Sequence, residues 1–261
     1  MRKVSLKMAG TLAVASVVLA MLPSTASAQL RASAGIESFS WKEDTTPEVK
    51  ESGALLAFGL EYTRIADAGL LWAYRGRLYF GSVDYEGATL FPPVQRVTAT
   101  TEYTGTVQEA QLRYRFDVGG QRGVDLVAGA GVDLWQRRLS SSQKEDYVIG
   151  FARLGLETER AGTGWLAGLG VKMPFYSWED SHLTDIGFQQ NPRLKPGKEV
   201  SGYLHAGYHF QGPLALVFYV DSLRLSRSPA EPVVHNTQGS MLIFQPASTR
   251  YSAGFKVVVD F

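Results

Sequence analysis

Apolar and polar residues alternate with a period of two along most of this chain, the signature of strands whose two faces meet different surroundings. In the last stretch Tyr251, Ala253, Phe255, Val257, Val259 and Phe261 fall on one face, while Ser252, Gly254, Lys256 and Asp260 fall on the other. Earlier, Leu70, Trp72, Tyr74, Leu78 and Phe80 alternate with Ala73, Arg75, Arg77 and Tyr79, and Ala110, Leu112, Tyr114 and Phe116 with Glu109, Gln111, Arg113 and Arg115. The pattern predicts ten strands, at 30–41, 51–63, 69–81, 104–117, 123–138, 147–160, 164–178, 199–211, 213–226 and 248–261, with boundaries good to about 2–4 residues. The first, second and sixth alternate less cleanly. In the sixth, Ile149 and Phe151 point inward if Leu154 and Leu156 point out.

The connections alternate in length. Those at 65–68, 118–122, 161–163 and 211–212 are short, and most carry the Gly or Asp of a tight turn. Between them lie longer polar connections at 42–50, 82–103, 139–146, 179–198 and 227–247, which also hold Pro92, Pro93, Pro192, Pro196, Pro229, Pro232 and Pro246, where no ladder bond is lost. Each segment is about as long as a tilted strand needs to cross a bilayer. Apolar outward faces, an even strand number and one side of short turns predict an all-β fold: an antiparallel up-and-down transmembrane β-barrel of about ten strands, with 8 to 12 as the range. A soluble sandwich or lipocalin-like barrel would present a polar outward face.

The chain start predicts export. Arg2, Lys3 and Lys7 precede an apolar run from Met8 to Leu22, and Ala26-Ser27-Ala28 is an A-x-A cleavage signal, so residues 1–28 are expected to be removed and 29–261 to form one barrel domain. A terminal Phe with apolar residues at alternate preceding positions resembles the closing strand of bacterial outer-membrane β-barrels. That resemblance implies a Gram-negative outer membrane with both termini periplasmic, lipid and lipopolysaccharide as surroundings, Phe261 as part of the signal read by the barrel assembly machinery, and a monomer.

Composition narrows the function. A net charge of +1 argues against nucleic acid as a partner. The absence of Cys removes disulfides and zinc-thiolate chemistry. Alternation places Arg31, Arg75, Arg77, Arg113, Arg115, Arg137, Arg153, Lys172 and Lys256 inside, against Glu37, Glu61, Glu109, Asp117, Asp125, Asp133, Glu157, Glu159, Asp221 and Asp260. Ten strands with long, nearly balanced charged side chains predict a polar plug rather than an open channel. The expected functions are envelope structure, surface binding or narrow-pore transport. His205 and His209 share the inward face about 13 Å apart, too far to hold one metal, and no cofactor or metal is expected.

Two triplets draw attention to the rim: Asp84-Tyr85-Glu86 after the third strand and Asp180-Ser181-His182 after the seventh. An Asp two residues from a His can orient the imidazole as a general base, and a second acidic pair can position a water. The arrangement resembles that of the omptins, ten-stranded outer-membrane proteases. It implies, as the alternative function, an endopeptidase using Asp84, Glu86, Asp180 and His182. This chain departs from the omptin pattern in having Glu86 as the second acid. Leu90 to Val94 and Met241 to Phe244 are apolar stretches in long connections, readable as a partner surface or as a hairpin continuing above the membrane.

Overall fold

The computed structural model describes residues 28–64, 69–89, 94–117, 122–160 and 163–261. Of the expected export signal only Ala28 falls within them, and Leu90 to Pro93 lie outside. Thirteen strands are described: β1 Ala28–Glu43, β2 Val49–Arg64, β3 Gly69–Ala88, β4 Arg96–Asp117, β5 Arg122–Arg138, β6 Lys144–Arg160, β7 Gly164–Asp180, β8 Arg193–Leu194, β9 Ser201–His209, β10 Leu214–Leu225, β11 Glu231–His235, β12 Gly239–Ile243 and β13 Ser248–Asp260. Eleven form one sheet in the order β6-β5-β4-β3-β2-β1-β13-β10-β9-β7-β8, and β6 also pairs with β7. Without the two-residue β8, that is a closed ten-stranded antiparallel barrel. β11 and β12 form a separate hairpin.

The strands run further than the apolar alternation does. β3 continues to Ala88 and β4 begins at Arg96, so most of the 82–103 connection expected from sequence is paired strand. The reason is a change of surroundings along the outer face. Through Leu78 and Phe80 the outward positions are apolar and exposed, a lipid-facing belt that includes Leu56, Phe58, Leu112, Leu156, Leu169 and Phe255. Beyond it the outward positions are Asp84, Glu86, Thr98, Thr100 and Glu102, all exposed. The ladder persists where the hydrophobic signal stops. At the end carrying the termini the belt closes on aromatics, with Trp165 against Tyr208 at 5.3 Å and Tyr62 against Trp72 at 5.0 Å between ring centres.

The seam joins β1 to β13 over thirteen residue pairs, from Arg31 opposite Asp260 to Glu43 opposite Ser248. The Phe261 N–H then donates to the Leu30 carbonyl at 2.9 Å, and the Phe261 side chain stays on the outside. One irregularity matters for the rim. β6 and β7 slip register at Gly150/Phe151, leaving Phe175 and Tyr176 both exposed. Before this bulge Lys172 and Pro174 point inward; after it Ser177 and Glu179 do. Ile149 and Phe151 are buried while Leu154 and Leu156 are exposed, as the inward reading of the first pair requires.

At the loop end, a 3-10 turn at Leu183–Ile186 and the β11–β12 hairpin enclose a small core of Leu183, Phe188 and Val233 with Ile186, Met241 and Ile243 against it. Met241 to Ile243 therefore belong to a hairpin outside the barrel wall.

Candidate functional site

The barrel interior has two unlike halves. Toward the loop end, inward positions carry rings: Phe39, Trp41, Tyr79, Tyr103, Trp135 and Tyr147 form one cluster with Leu55, Ile149, Leu223 and Leu225. Trp135 and Tyr147 stack at 4.6 Å with planes 8° apart, and Trp41 meets both at 6.3 and 5.7 Å. Tyr79 and Tyr103 are each 1 % exposed.

Two arginines hold acidic groups in this half. Arg137 donates to Glu43 and Glu145 at 2.8 Å and to Glu51 at 2.9 Å, and its guanidinium lies 5.7 Å from the Trp41 ring. Glu51 also accepts from Thr101 at 3.1 Å and from Tyr103, while Trp41 Nε1 donates to Glu43 at 2.9 Å. One turn of side chains below, Arg250 pairs with Asp133, which also accepts from Tyr79 at 3.0 Å. Arg137, Glu43, Glu51, Arg250 and Asp133 each contact an aromatic side chain of this layer.

Beyond Val148 on β6 and Trp178 on β7 the outward positions are Asp146 and Asp180, so Glu145 and Glu179 stand past the lipid belt. Burial, and then the Glu145 carboxylate, push Glu179 well above the usual carboxylate range, and burial raises Glu145 against the pull of Arg137. A carboxyl with a raised folded-state pKa contributes stability that is complete below the ordinary carboxylate range and lost as pH rises through the raised value. The near-UV circular dichroism of the Trp-Tyr stack should therefore melt at lower temperature at about pH 8 than at about pH 5. Glu179→Gln should flatten that dependence; an unchanged dependence in the variant would assign it elsewhere.

Toward the termini end the interior is charged and partly open. Arg75 bridges Glu61 at 3.0 Å and Glu157 at 2.9 Å, Arg77 pairs with Glu37 at 2.7 Å, and Arg153 with Glu109 at 2.9 Å. Arg113, 1 % exposed, lies between Glu61, Glu157 and Asp125 at 3.4, 3.2 and 3.7 Å, and Arg115 holds Asp125 at 2.7 Å. Asp260 accepts from Arg31 at 3.0 Å and contacts His209 at 2.8 Å; Lys172 pairs with Asp221. A cavity of about 240 Å³ remains, lined by residues of all ten barrel strands. Lys256 lines the same cavity; among the described residues it has no carboxylate within 4.0 Å, and its Nζ lies 5.9 Å from the Tyr219 ring. The side chains of Asp117 and Glu159 lie outside the described residues.

Sequence reasoning missed Glu43, Glu51, Glu145, Glu179 and Arg250. Three of these fall in stretches read as connections. The signal that would have found Glu43 is parity: Glu37, Phe39 and Trp41 already point inward, and Glu43 continues the row.

The rim triplets are placed differently from the arrangement their spacing suggests. Asp84 and Glu86 sit on β3 itself and face outward, away from the lumen. On β7 the bulge turns Asp180 outward as well. His182 follows in a left-handed conformation, φ 46°, with its N–H donating to Asp180 Oδ1 at 3.1 Å. Its imidazole Nε2 contacts Asp146 Oδ2 at 2.8 Å, and Asp146 also accepts from Gln136 at 2.8 Å. The acid against the His182 ring is thus Asp146 from β6, not Asp180. β4, β5 and β6 separate β3 from β7 in the sheet.

A closed barrel with an apolar outer belt, an even strand number and a polar interior is the architecture of the family described as outer membrane protein beta-barrel domain, whose model matches residues 9–184, more than half of the chain. The chain belongs to this family. Its place is the bacterial outer membrane. No curated protein matches this outer-membrane barrel in sequence. Among solved structures it is similar to the outer membrane protease OmpT from Escherichia coli, at a TM-score of 0.50 and 9 % identity over 91 % of this chain and 99 % of that one. It also resembles an outer membrane channel from Pseudomonas putida F1, at 0.43 and 15 % identity over 92 % and 97 % of the two chains. The attachment invasion locus protein Ail of Yersinia pestis follows at 0.26, 11 % identical over 89 % and 98 %. At these identities the first likeness establishes the barrel fold, and the other two carry no argument.

Proposed function

We propose that this protein is a non-conducting outer-membrane barrel that holds a surface-binding platform, with both termini in the periplasm and the β11–β12 hairpin outside the cell. The observation that carries this reading is the filled cross-section at the loop end, where Trp41, Tyr79, Tyr103, Trp135 and Tyr147 are buried and tied to Arg137 and Arg250. Interior charges fixed by ion pairs and rings do not move aside for a solute without losing those bonds. The strands raise the loop-end core of Leu183, Phe188 and Val233 beyond the belt, and Leu242 on β12 remains 67 % exposed. Assembly fits insertion by the barrel assembly machinery through the alternation ending at Phe261, into lipid and lipopolysaccharide, as a monomer.

Refolded protein added to planar lipid bilayers should insert without conductance steps. The Tyr79→Ala, Tyr103→Ala double variant, verified as folded by its heat-shifted gel band, should produce steps by removing two rings from the layer. Stable openings by the unaltered protein would overturn the reading.

A further inference from the structure

The structure assigns to the termini-side cavity a binding site for a small oxyanion, a carboxylate or phosphate, with Lys256 as its charge partner. The assignment is independent of whether the aromatic layer conducts. The cavity lining carries seven Arg or Lys against six Asp or Glu. Each lining acid is already matched: Glu61 and Glu157 to Arg75 and Arg113, Glu109 to Arg153, Asp221 to Lys172, Asp260 to Arg31, and Asp133 to Arg250 just above. Arg77 is matched by Glu37, which stands outside the lining. The positive charge left over is Lys256.

An ammonium enclosed by a barrel wall is costly unless an anion or several waters neutralise or solvate it. Other donors that line the cavity are also unmet. Arg153 Nε is buried without an acceptor, and His205, which lines the cavity on β9 opposite Tyr219, has no hydrogen-bond partner among the described residues. The neighbouring acid does not resolve this. Glu37 faces Gly254 across the seam, diagonal to Lys256, but its Oε2 is taken by Arg77 and Tyr219, and its Oε1 stays without a donor. About 240 Å³ is room for an ion of phosphate or short-carboxylate size together with water. A cation without a carboxylate beside it, unmet donors and a partly open cavity of sufficient volume together point to an oxyanion as the ligand.

The test is calorimetric titration of the refolded barrel in detergent with sodium phosphate and, separately, sodium acetate and sodium succinate, against sodium chloride at matched ionic strength. Saturable binding of phosphate or of a carboxylate is expected, and which of them saturates names the source. Lys256→Gln should weaken that binding at least ~10-fold, the loss of one charge-assisted contact. Lys256→Arg should keep it, and Arg224→Gln, on the exposed loop-end rim, should leave it unchanged. If Lys256→Gln fails to show the heat-shifted folded band, His205→Gln and Lys256→Arg carry the comparison, with weakened binding expected from the first alone. No saturable binding by the unaltered protein, or binding indifferent to both Lys256→Gln and His205→Gln, would overturn the assignment. So would Glu37→Gln abolishing any effect of Lys256→Gln on stability while no anion binds, since that identifies Glu37 as the lysine's partner.

Discussion

Replacing Arg137 with methionine should cost about 3–5 kcal/mol of folding stability, the cost of stripping the partner from buried charges. Arg137 is the cation shared by Glu43, Glu51 and Glu145, at 2.8 to 2.9 Å, and it is 2 % exposed. Its removal leaves three carboxylates facing one another, with Tyr103 and Thr101 alone still donating to Glu51. Urea unfolding of barrels refolded in lipid vesicles, followed by Trp fluorescence, measures the loss. The sharper measurement is the combination of Arg137→Met with Glu51→Gln and Glu145→Gln. If the cost is unpaired charge, the triple variant should recover most of it, because neutral amides lift the repulsion. Equal losses in the single and triple variants would move the cause to lost packing against Trp41.

Sequence makes the barrel legible, because lipid imposes a face on every strand. Leu78, Leu112, Leu156 and Phe255 each stand next to a charged residue on the other face for a physical reason that needs no partner strand, and loop alternation then sets an even strand number. Legibility ends where the lipid does. Past Phe80 the outward face turns polar, so Asp84 and Glu86 read as loop residues although they lie on a paired strand. The same effect hid Glu43, Glu145 and Glu179. The candidate site was obscured by a second cause. A bulge at Gly150/Phe151 reverses the parity of β7, which no periodicity inside 164–178 announces, and so Asp180 leaves the interior while Asp146 becomes the partner of the His182 ring. Lys256 shows a third. Alternation gives its direction, but whether an inward lysine meets a carboxylate depends on strand register around the whole barrel.

Closing that barrel depends on two glycines, and Gly254→Val should disable it. Gly254 on β13 lies opposite Glu37 at the centre of the seam, and Gly35 on β1 lies opposite Lys256 two pairs away. A Cβ at Gly254 would come 2.4 Å from the Ile36 carbonyl oxygen and 2.8 Å from Glu37 Cα. At Gly35 it would come 2.3 Å from the Phe255 carbonyl oxygen. These are backbone atoms of the facing strand, which no side-chain rotation relieves, so the strands must separate where the first and last must pair. An isoleucine or lysine beside them tells nothing of this from sequence, since a glycine in a strand usually only weakens it. The expected cost for valine is about 3 kcal/mol, the upper range for forcing atoms into filled space, with loss of the heat-shifted folded band on refolding. Alanine should show a smaller part of the same loss. Gly202→Ala is the control, because its added carbon would meet nothing nearer than the Gly170 carbonyl oxygen at 3.7 Å. If Gly254→Val refolds with the yield and urea midpoint of the control, β1 and β13 tolerate a wider gap than this register allows. Close approach at the seam would then contribute nothing measurable to closure.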